Sequence, residues 1–395
     1  MRSSIPAAAA ALLATCVLAP SLPGAACCAP AAPPPLWSPD VPFPASVEAI
    51  EPVPYARYST VYRATDETRF LHQSGIGFHN GTLFVGWVHG ARDEAAPDQV
   101  INGRRSFDGG RTWTPLEVIA PYLDDKERWE YCSFISHAGK MWAVTTRTHD
   151  AWHFREPKME LFYFDEAAER WVRHGVVLDN FIATDKLRRL ANGNFMMAGW
   201  FVTKYPDTPA HYRENTMVNR IAISAGADLT RWHITGVPHE EGMVFPFITP
   251  IIDGNHITAV FRNSKDTMAM VSVSHDHGET WSAAQLSNLP MTAVKPFAGV
   301  LSDGRRYLIA CTPVEPGNHD RDALTIAVGE PGAATFSRIW KISRGRPYAL
   351  RYEGRGKRPQ WSYPKAVEHN GELYVIYTVN KEDAEMAVIP LAALR

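Results

Sequence analysis

Six times along the chain a tight glycine turn joins two apolar, strand-like runs, and no other feature narrows the fold so far. The turn glycines are Gly81, Gly139, Gly193, Gly254, Gly304 and Gly371. The first and last have closely similar surroundings, His79-Asn80-Gly81-Thr82-Leu83-Phe84-Val85 and His369-Asn370-Gly371-Glu372-Leu373-Tyr374-Val375, and the dipeptides Asn192-Gly193, Asp253-Gly254 and Asp303-Gly304 repeat the pattern. Both central residues of a two-residue hairpin turn take positive φ, which Asn, Asp and Gly tolerate best. Further β-rich stretches such as Asn219–Ser224 and Met268–Ser274 follow the hairpins. Four strands in roughly 50 to 65 residues is a propeller blade with long loops. The chain is therefore predicted to be all-β, a six-bladed β-propeller, with seven blades as the alternative count. The last hairpin has too little chain after it for a full blade, and Val47–Arg63 precedes the first hairpin with no turn of its own. That segment is expected to supply outer strands to the last blade and so close the ring.

The residues before the repeats read differently. Residues 1–29 combine Arg2, an Ala/Leu-rich stretch over Ala7–Ala19 and the small residues Gly24, Ala25 and Ala26, the layout of a secretory signal peptide. The apolar run is shorter than the about 20 residues of a membrane-spanning helix, so no span is expected. Cleavage after Ala26 would leave Cys27 first, the position of a lipid anchor, although Gly24 stands where that motif has Leu. The expected location is secreted or periplasmic, as a free protein or a lipoprotein. Residues 30–46 are dense in proline and read as a linker outside the fold, leaving 47–395 as one domain. A formal net charge of −2 gives no global basic field, so nucleic acid is not an expected partner. Cys132 and Cys311 form at most one disulfide and otherwise are two buried thiols.

Two segments share the pattern Ser-x-Asp-x-Gly-x-Thr-Trp: Ser106–Trp113 and Ser274–Trp281. The Asp accepts N–H bonds of its own turn, the Gly allows the turn to tighten, and the Trp packs between strands. Worn copies stand at Asp165–Trp171 and Asp228–Trp232. The pattern resembles the Asp-box, or BNR repeat, of the sialidase superfamily, which implies a sialidase-like propeller. The boxes lie away from the active face, so the chemistry has to be read elsewhere.

Superposing the repeats on their turn glycines brings positions eight or nine residues before each turn, and about eight after it, to one rim. The entry positions are His72/Gln73, Glu130/Tyr131, Thr184/Asp185/Lys186, Phe245/Pro246, Lys295/Pro296 and Ser362/Tyr363; the exit positions are His89, Arg147, Thr203/Lys204, Arg262, Thr312 and Asn380/Lys381. Inner strands are ordinarily apolar, so a register of His, Tyr, Arg and Lys points to a polar funnel. Arg147, Lys186, Lys204, Arg262 and Lys295 make it locally basic, which suits a substrate carboxylate. Lys381-Glu382-Asp383 reads as a solvated turn. No metal-ligand spacing or phosphate-binding glycine loop is present, so no cofactor is expected; a Ca²⁺ or Zn²⁺ site would require His72, His89 and His149 to converge.

The resemblance to sialidases implies roles for some of these residues: Tyr363 as nucleophile, Asp93 or its neighbour Glu94 as acid/base, Arg262 and Arg321 in the arginine triad that holds a carboxylate. Two positions depart from it. Leu71-His72-Gln73 stands where the first triad arginine belongs, and Val244-Phe245-Pro246 where a Glu should activate the tyrosine. Without that base a tyrosine is a poor nucleophile at neutral pH. The leading expectation is therefore β-elimination from an acidic, uronate-type sugar at a chain end. There Arg147 neutralises the carboxylate, Gln73 assists binding, and His72, His89 and Tyr131 move protons. This set also resembles that of propeller enzymes acting on the rhamnose–glucuronate linkage, described as lyases and as α-L-rhamnosidases. A sialidase-type hydrolase and a non-catalytic glycan-binding propeller are the alternatives; in each case the partner is an acidic oligosaccharide or polysaccharide.

Overall fold

A computed structural model describes residues 34–395 apart from 95, 125–126, 150–153, 203–216, 239–246, 314, 316 and 346. The strands form six antiparallel sheets, each built from strands consecutive in the chain apart from one that joins the last sheet from the N-terminal side, so the chain is a six-bladed propeller. Blade I comprises Phe70–His79, Thr82–Gly90, Val100–Ser106 and Glu117–Ala120; blade II comprises Glu127–His137, Lys140–His149, Arg155–Asp165 and Arg170–Asp179. In blade III the inner strand is split into Phe181–Ala183 and Arg188–Arg189, both paired with Phe195–Val202. Blades IV, V and VI start with the inner strands Ile248–Asp253, Phe297–Val300 and Trp361–His369. The expected turns are present: Asn80 and Gly81 have φ 46° and 77°, Asn370 and Gly371 φ 49° and 77°.

The ring closes as the sequence implies, but with one outer strand. Arg57–Tyr62 pairs with Asp383–Pro390 and becomes the fourth strand of blade VI. Val61 and Tyr62 then join Leu71, Trp87, Ile376 and Met386 in an apolar cluster between blades VI and I. The residues before that strand correct the expected linker. Leu36 and Trp37 are buried in the cluster of blades IV and V, where Asn288 accepts both of their N–H groups at 3.0 and 2.9 Å. Further on, Pro52 bridges to Lys341 on the outer edge of blade V. This stretch has packing partners because its few apolar residues meet the open edges of outer strands, which otherwise present unpaired backbone groups.

Both full Asp-boxes adopt the same geometry. Asp108 accepts bonds from Arg111 N and Thr112 N, both at 2.9 Å, and Asp276 from Thr280 N at 2.9 Å. These bonds, led by the Thr112 hydroxyl and the Thr280 hydroxyl, hold both carboxyls below the ordinary range, Asp276 at about 2. The worn copies keep the turn cap: Asp165 accepts from Ala167 N and Ala168 N, Asp228 from Thr230 N. Cys132 and Cys311 are free, buried thiols. Among the described residues no helix is long and apolar enough to cross a membrane.

Candidate active site

The site begins with irregularities in three inner strands. The register shifts between His72 and Gly75 in blade I, Trp129 and Tyr131 in blade II, and Ser362 and Lys365 in blade VI. At two of these bulges a residue lies in the left-handed region, Gln73 at φ 53° and Tyr363 at φ 54°. A bulge adds a residue to one strand and re-aims its side chain. Gln73, Glu130 and Tyr363 all line one central cavity of ≈ 520 Å³.

One wall of this cavity is strongly basic. Arg262, Arg321 and Arg358 all line it beside Tyr363. Arg262 lies over the Phe247 ring, 5.3 Å from its centroid. Arg321 stands 5.9 Å from the Tyr363 ring, anchored by Gln360 Oε1 at 2.7 Å and the Ala293 carbonyl at 2.8 Å. Burial lowers Arg262 to about 10, and the charges of Arg321 and Arg358 act in the same direction. Burial likewise lowers Arg358, with Arg321 adding to it. An anion seated among the three would relieve this repulsion.

Beside Tyr363 the lining also carries groups suited to proton transfer. His72 makes an edge-to-face contact with Tyr363, ring centroids 4.0 Å apart at 81°, and its Nε2 is 3.4 Å from Glu94 Oε1. Burial, then the charges of Lys381, Lys295 and Arg321, push the His72 imidazole well below its usual range, so it is neutral at pH 7. Lys381 Nζ donates to Glu94 Oε2 at 2.6 Å. Close by, burial raises Glu130 to about 7 against the opposing charge of its ion-pair partner Arg128. Two carboxyl groups of one cavity thus differ in environment, Glu94 part-exposed and Glu130 buried, the usual basis for dividing acid and base roles.

A family model for the BNR repeat-like domain matches residues 81–375. The chain belongs to that family. Its fold is that of the sialidase-like propellers. A Hadza microbial sialidase, Hz136, is 14% identical with a TM-score of 0.66, over 85% of this chain and 69% of its own. The NanB sialidase from Streptococcus pneumoniae is 10% identical with a TM-score of 0.62, over 85% and 71%. Trypanosoma rangeli sialidase in complex with 2,3-difluorosialic acid as a covalent intermediate is 13% identical with a TM-score of 0.63, over 87% and 60%. At such identities the likeness is one of fold. No match was found among curated proteins.

In this BNR repeat-like propeller the cavity brings together His72, Gln73, Glu94, Glu130, Thr184, Arg262, Arg321, Tyr363 and Lys381 of the residues singled out from sequence. Lys295 lies just beneath, its Nζ donating to Gln73 Oε1 at 3.0 Å. The others are elsewhere. His89 is the register partner of Leu71 and shares that residue's face toward blade VI, where it meets the Tyr62 ring at 4.9 Å and Asn102 at 2.8 Å; burial lowers it to about 4. Tyr131 is buried between Lys295 and Lys365, 4.9 and 3.9 Å from its ring, and donates to the Asp185 carbonyl. Arg147 is neutralised by Glu127 and Glu160, the latter shared with Arg173. Asp93 turns to the Arg355 N–H at 3.3 Å, and its neighbour Glu94 faces the cavity instead. Lys186 lines a second cavity. Lys204, Val244, Phe245 and Pro246 lie outside the described residues.

Several lining residues were missed or misread. Lys381-Glu382-Asp383 is a buried turn, 4%, 0% and 1% exposed, because Arg351 and Lys357 pack over its acids. Glu130 was visible in the entry register beside Tyr131. Arg128 and Arg358 had no signal in the turn spacing. Asp108 and Asp276 are not in the lining. Among the described residues no group of three or more His, Cys, Asp or Glu side chains is placed to hold a metal ion.

Proposed function

We propose that this protein is a carbohydrate-active enzyme that holds the terminal acidic sugar of a glycan in the central cavity and hydrolyses its glycosidic bond with Tyr363 as nucleophile. The observation that carries this reading is the convergence of Arg262, Arg321 and Arg358 around Tyr363. A carboxylate held by paired guanidinium bonds would set the sugar ring against the phenol. The phenolic proton passes through the neutral His72, in contact with the ring, to the Glu94 carboxylate 3.4 Å beyond it as the oxygen bonds to the anomeric carbon. Glu130, raised to about 7 by burial, gives a proton to the departing oxygen and then takes one from the water that releases the sugar, while Glu94 returns its proton to the tyrosine through His72. Export of the chain through residues 1–29, with or without a lipid on Cys27, belongs to the same proposal.

Elimination from a uronate is the second reading, favoured by the neutral His72 beside Tyr363, a base and an acid for that chemistry. It has lost Arg147, His89 and Tyr131 from the cavity. Digesting a panel of sialylated and uronate-terminated oligosaccharides separates the two. Hydrolysis adds a water to the products; elimination gives an ultraviolet-absorbing unsaturated sugar one water lighter. Tyr363→Phe is expected to lower kcat by about 100-fold or more, the scale of a lost proton-transfer or covalent group. Binding without turnover of any substrate would leave only a glycan-binding role.

A further inference from the structure

A second cavity of ≈ 320 Å³ opens near the hairpin ends of the inner strands of blades III to VI. Thr184 lines the upper cavity and Lys186, two residues along the same segment, lines this one, with Arg188 and Arg189 beside it. Between them lies a sealed layer in which Tyr131, Asp185 and Lys295 are each 1% exposed or less.

The charges of the lower cavity do not balance. Lys186, Arg188 and Arg189 outnumber its two nearby acids, of which only Asp185 is ion-paired. Asp185 Oδ2 accepts both Arg188 Nη2 and Nε, at 3.0 and 3.1 Å, and Glu368 accepts the Ser302 N–H at 2.8 Å as well as its hydroxyl. Neither Lys186 nor Arg189 has a hydrogen bond or ion pair among the described residues. Burial, then the charge of Arg188, brings Lys186 down to about 8 against the opposing charge of Asp185, so it stays largely protonated at neutral pH with no ion pair of its own among the described residues. The opposite wall is apolar and aromatic: Ile252, Phe297, Val300 and Val367, with Tyr307 between. A cationic half-buried wall facing an apolar one, in a space this size, suits a small ligand with a charged edge and a ring face.

We infer that the lower cavity is a separate binding site for a small ring-shaped carboxylate, its charge taken by Lys186 and Arg189 and its ring laid against Val300 and Val367. The site shares no lining residue with the upper cavity, and the inference does not rest on the hydrolase reading.

Calorimetric titration with sodium D-glucuronate tests it, with the upper cavity disabled by Arg321→Met. That protein is expected to bind at a single site, and adding Lys186→Met should weaken binding about tenfold or more, as loss of a charge-assisted contact does. Arg189→Gln, an exposed substitution that leaves the core untouched, should weaken it in the same direction if Lys186→Met proves unfolded by its thermal midpoint. D-Glucose should not compete. Unchanged affinity in the Lys186 or Arg189 variant, equal binding of D-glucose, or no heat in the Arg321→Met protein would each overturn the assignment while leaving the hydrolase reading intact.

Discussion

Glu94 is positioned from three directions, and the least conspicuous of its neighbours is a glycine. Lys381 holds one carboxylate oxygen at 2.6 Å and His72 approaches the other at 3.4 Å. Behind it passes Gly356, where a Cβ would stand 1.9 Å from Glu94 Oε2. The loop between blades V and VI therefore reaches blade I through a residue that must lack a side chain. Gly356 also has φ +75°, as does Gly332, whose Cβ would meet nothing within 4 Å. The two alanine variants separate backbone strain from displacement of the carboxylate. Both should lose some stability, about 1–2 kcal/mol for the left-handed backbone alone. Gly356→Ala should also reduce kcat about tenfold or more and move the pH profile, because a displacement near 1 Å is large for the carboxylate proposed to move a proton. Gly332→Ala should leave both unchanged on the substrate identified by product analysis.

At the scale of the strand and turn, the Asp-box works as a joint between blades. The second glycine of the first box, Gly110, has φ +81° and would place a Cβ 2.1 Å from Met386 Cε of blade VI; Gly278 of the second box stands in the same relation to Met196 of blade III, at 2.4 Å. Each box thus clasps the preceding blade. Gly81 shares the left-handed backbone, φ +77°, but has nothing within 4 Å. In denaturant titrations Gly110→Ala should therefore cost roughly 1–3 kcal/mol more than Gly81→Ala, the range for overfilling a packed core. Such turns were legible in the sequence because they are local: two or three adjacent residues decide them. The facing of side chains at the funnel was not, because a strand alternates faces and one bulge reverses the alternation. Superposing turns placed Tyr363 and Gln73 correctly, since both sit at bulges. It misplaced His89, which sits opposite Leu71 in an unshifted stretch of ladder. Arg147 failed for a different reason. Its partner Glu160 is on the next strand, diagonal to the Arg147–Lys158 pair, and a diagonal pair depends on a register that no spacing within one strand shows.

At the scale of the whole ring, what closes the propeller also completes its core. Arg57–Tyr62 supplies the outer strand of blade VI, and Tyr62 reaches across to blade I, 5.3 Å from the Trp87 ring and hydrogen-bonded to Thr68 at 2.6 Å. Val61 is fully buried, and Tyr62 is 9% exposed. Removing the chain through Tyr62 would uncover Met386 and Val388 and leave the strand Asp383–Pro390 as an open edge, prone to pair with another molecule. Burial of two large side chains at about 1.5–3 kcal/mol each, without counting the lost ladder, is a large share of the roughly 5–15 kcal/mol that holds a domain folded. A protein starting after Tyr62 is expected to aggregate or to unfold at a much lower denaturant midpoint than the full chain. The central cavity should suffer with it, because His72 and Tyr363 belong to the two blades that this strand ties together, and their ring contact is the seam. A synthetic peptide covering residues 54–64, added in trans, should raise the midpoint of the truncated protein and restore part of its activity. Equal midpoints with and without the strand would mean that the apolar seam between blades VI and I closes the ring unaided.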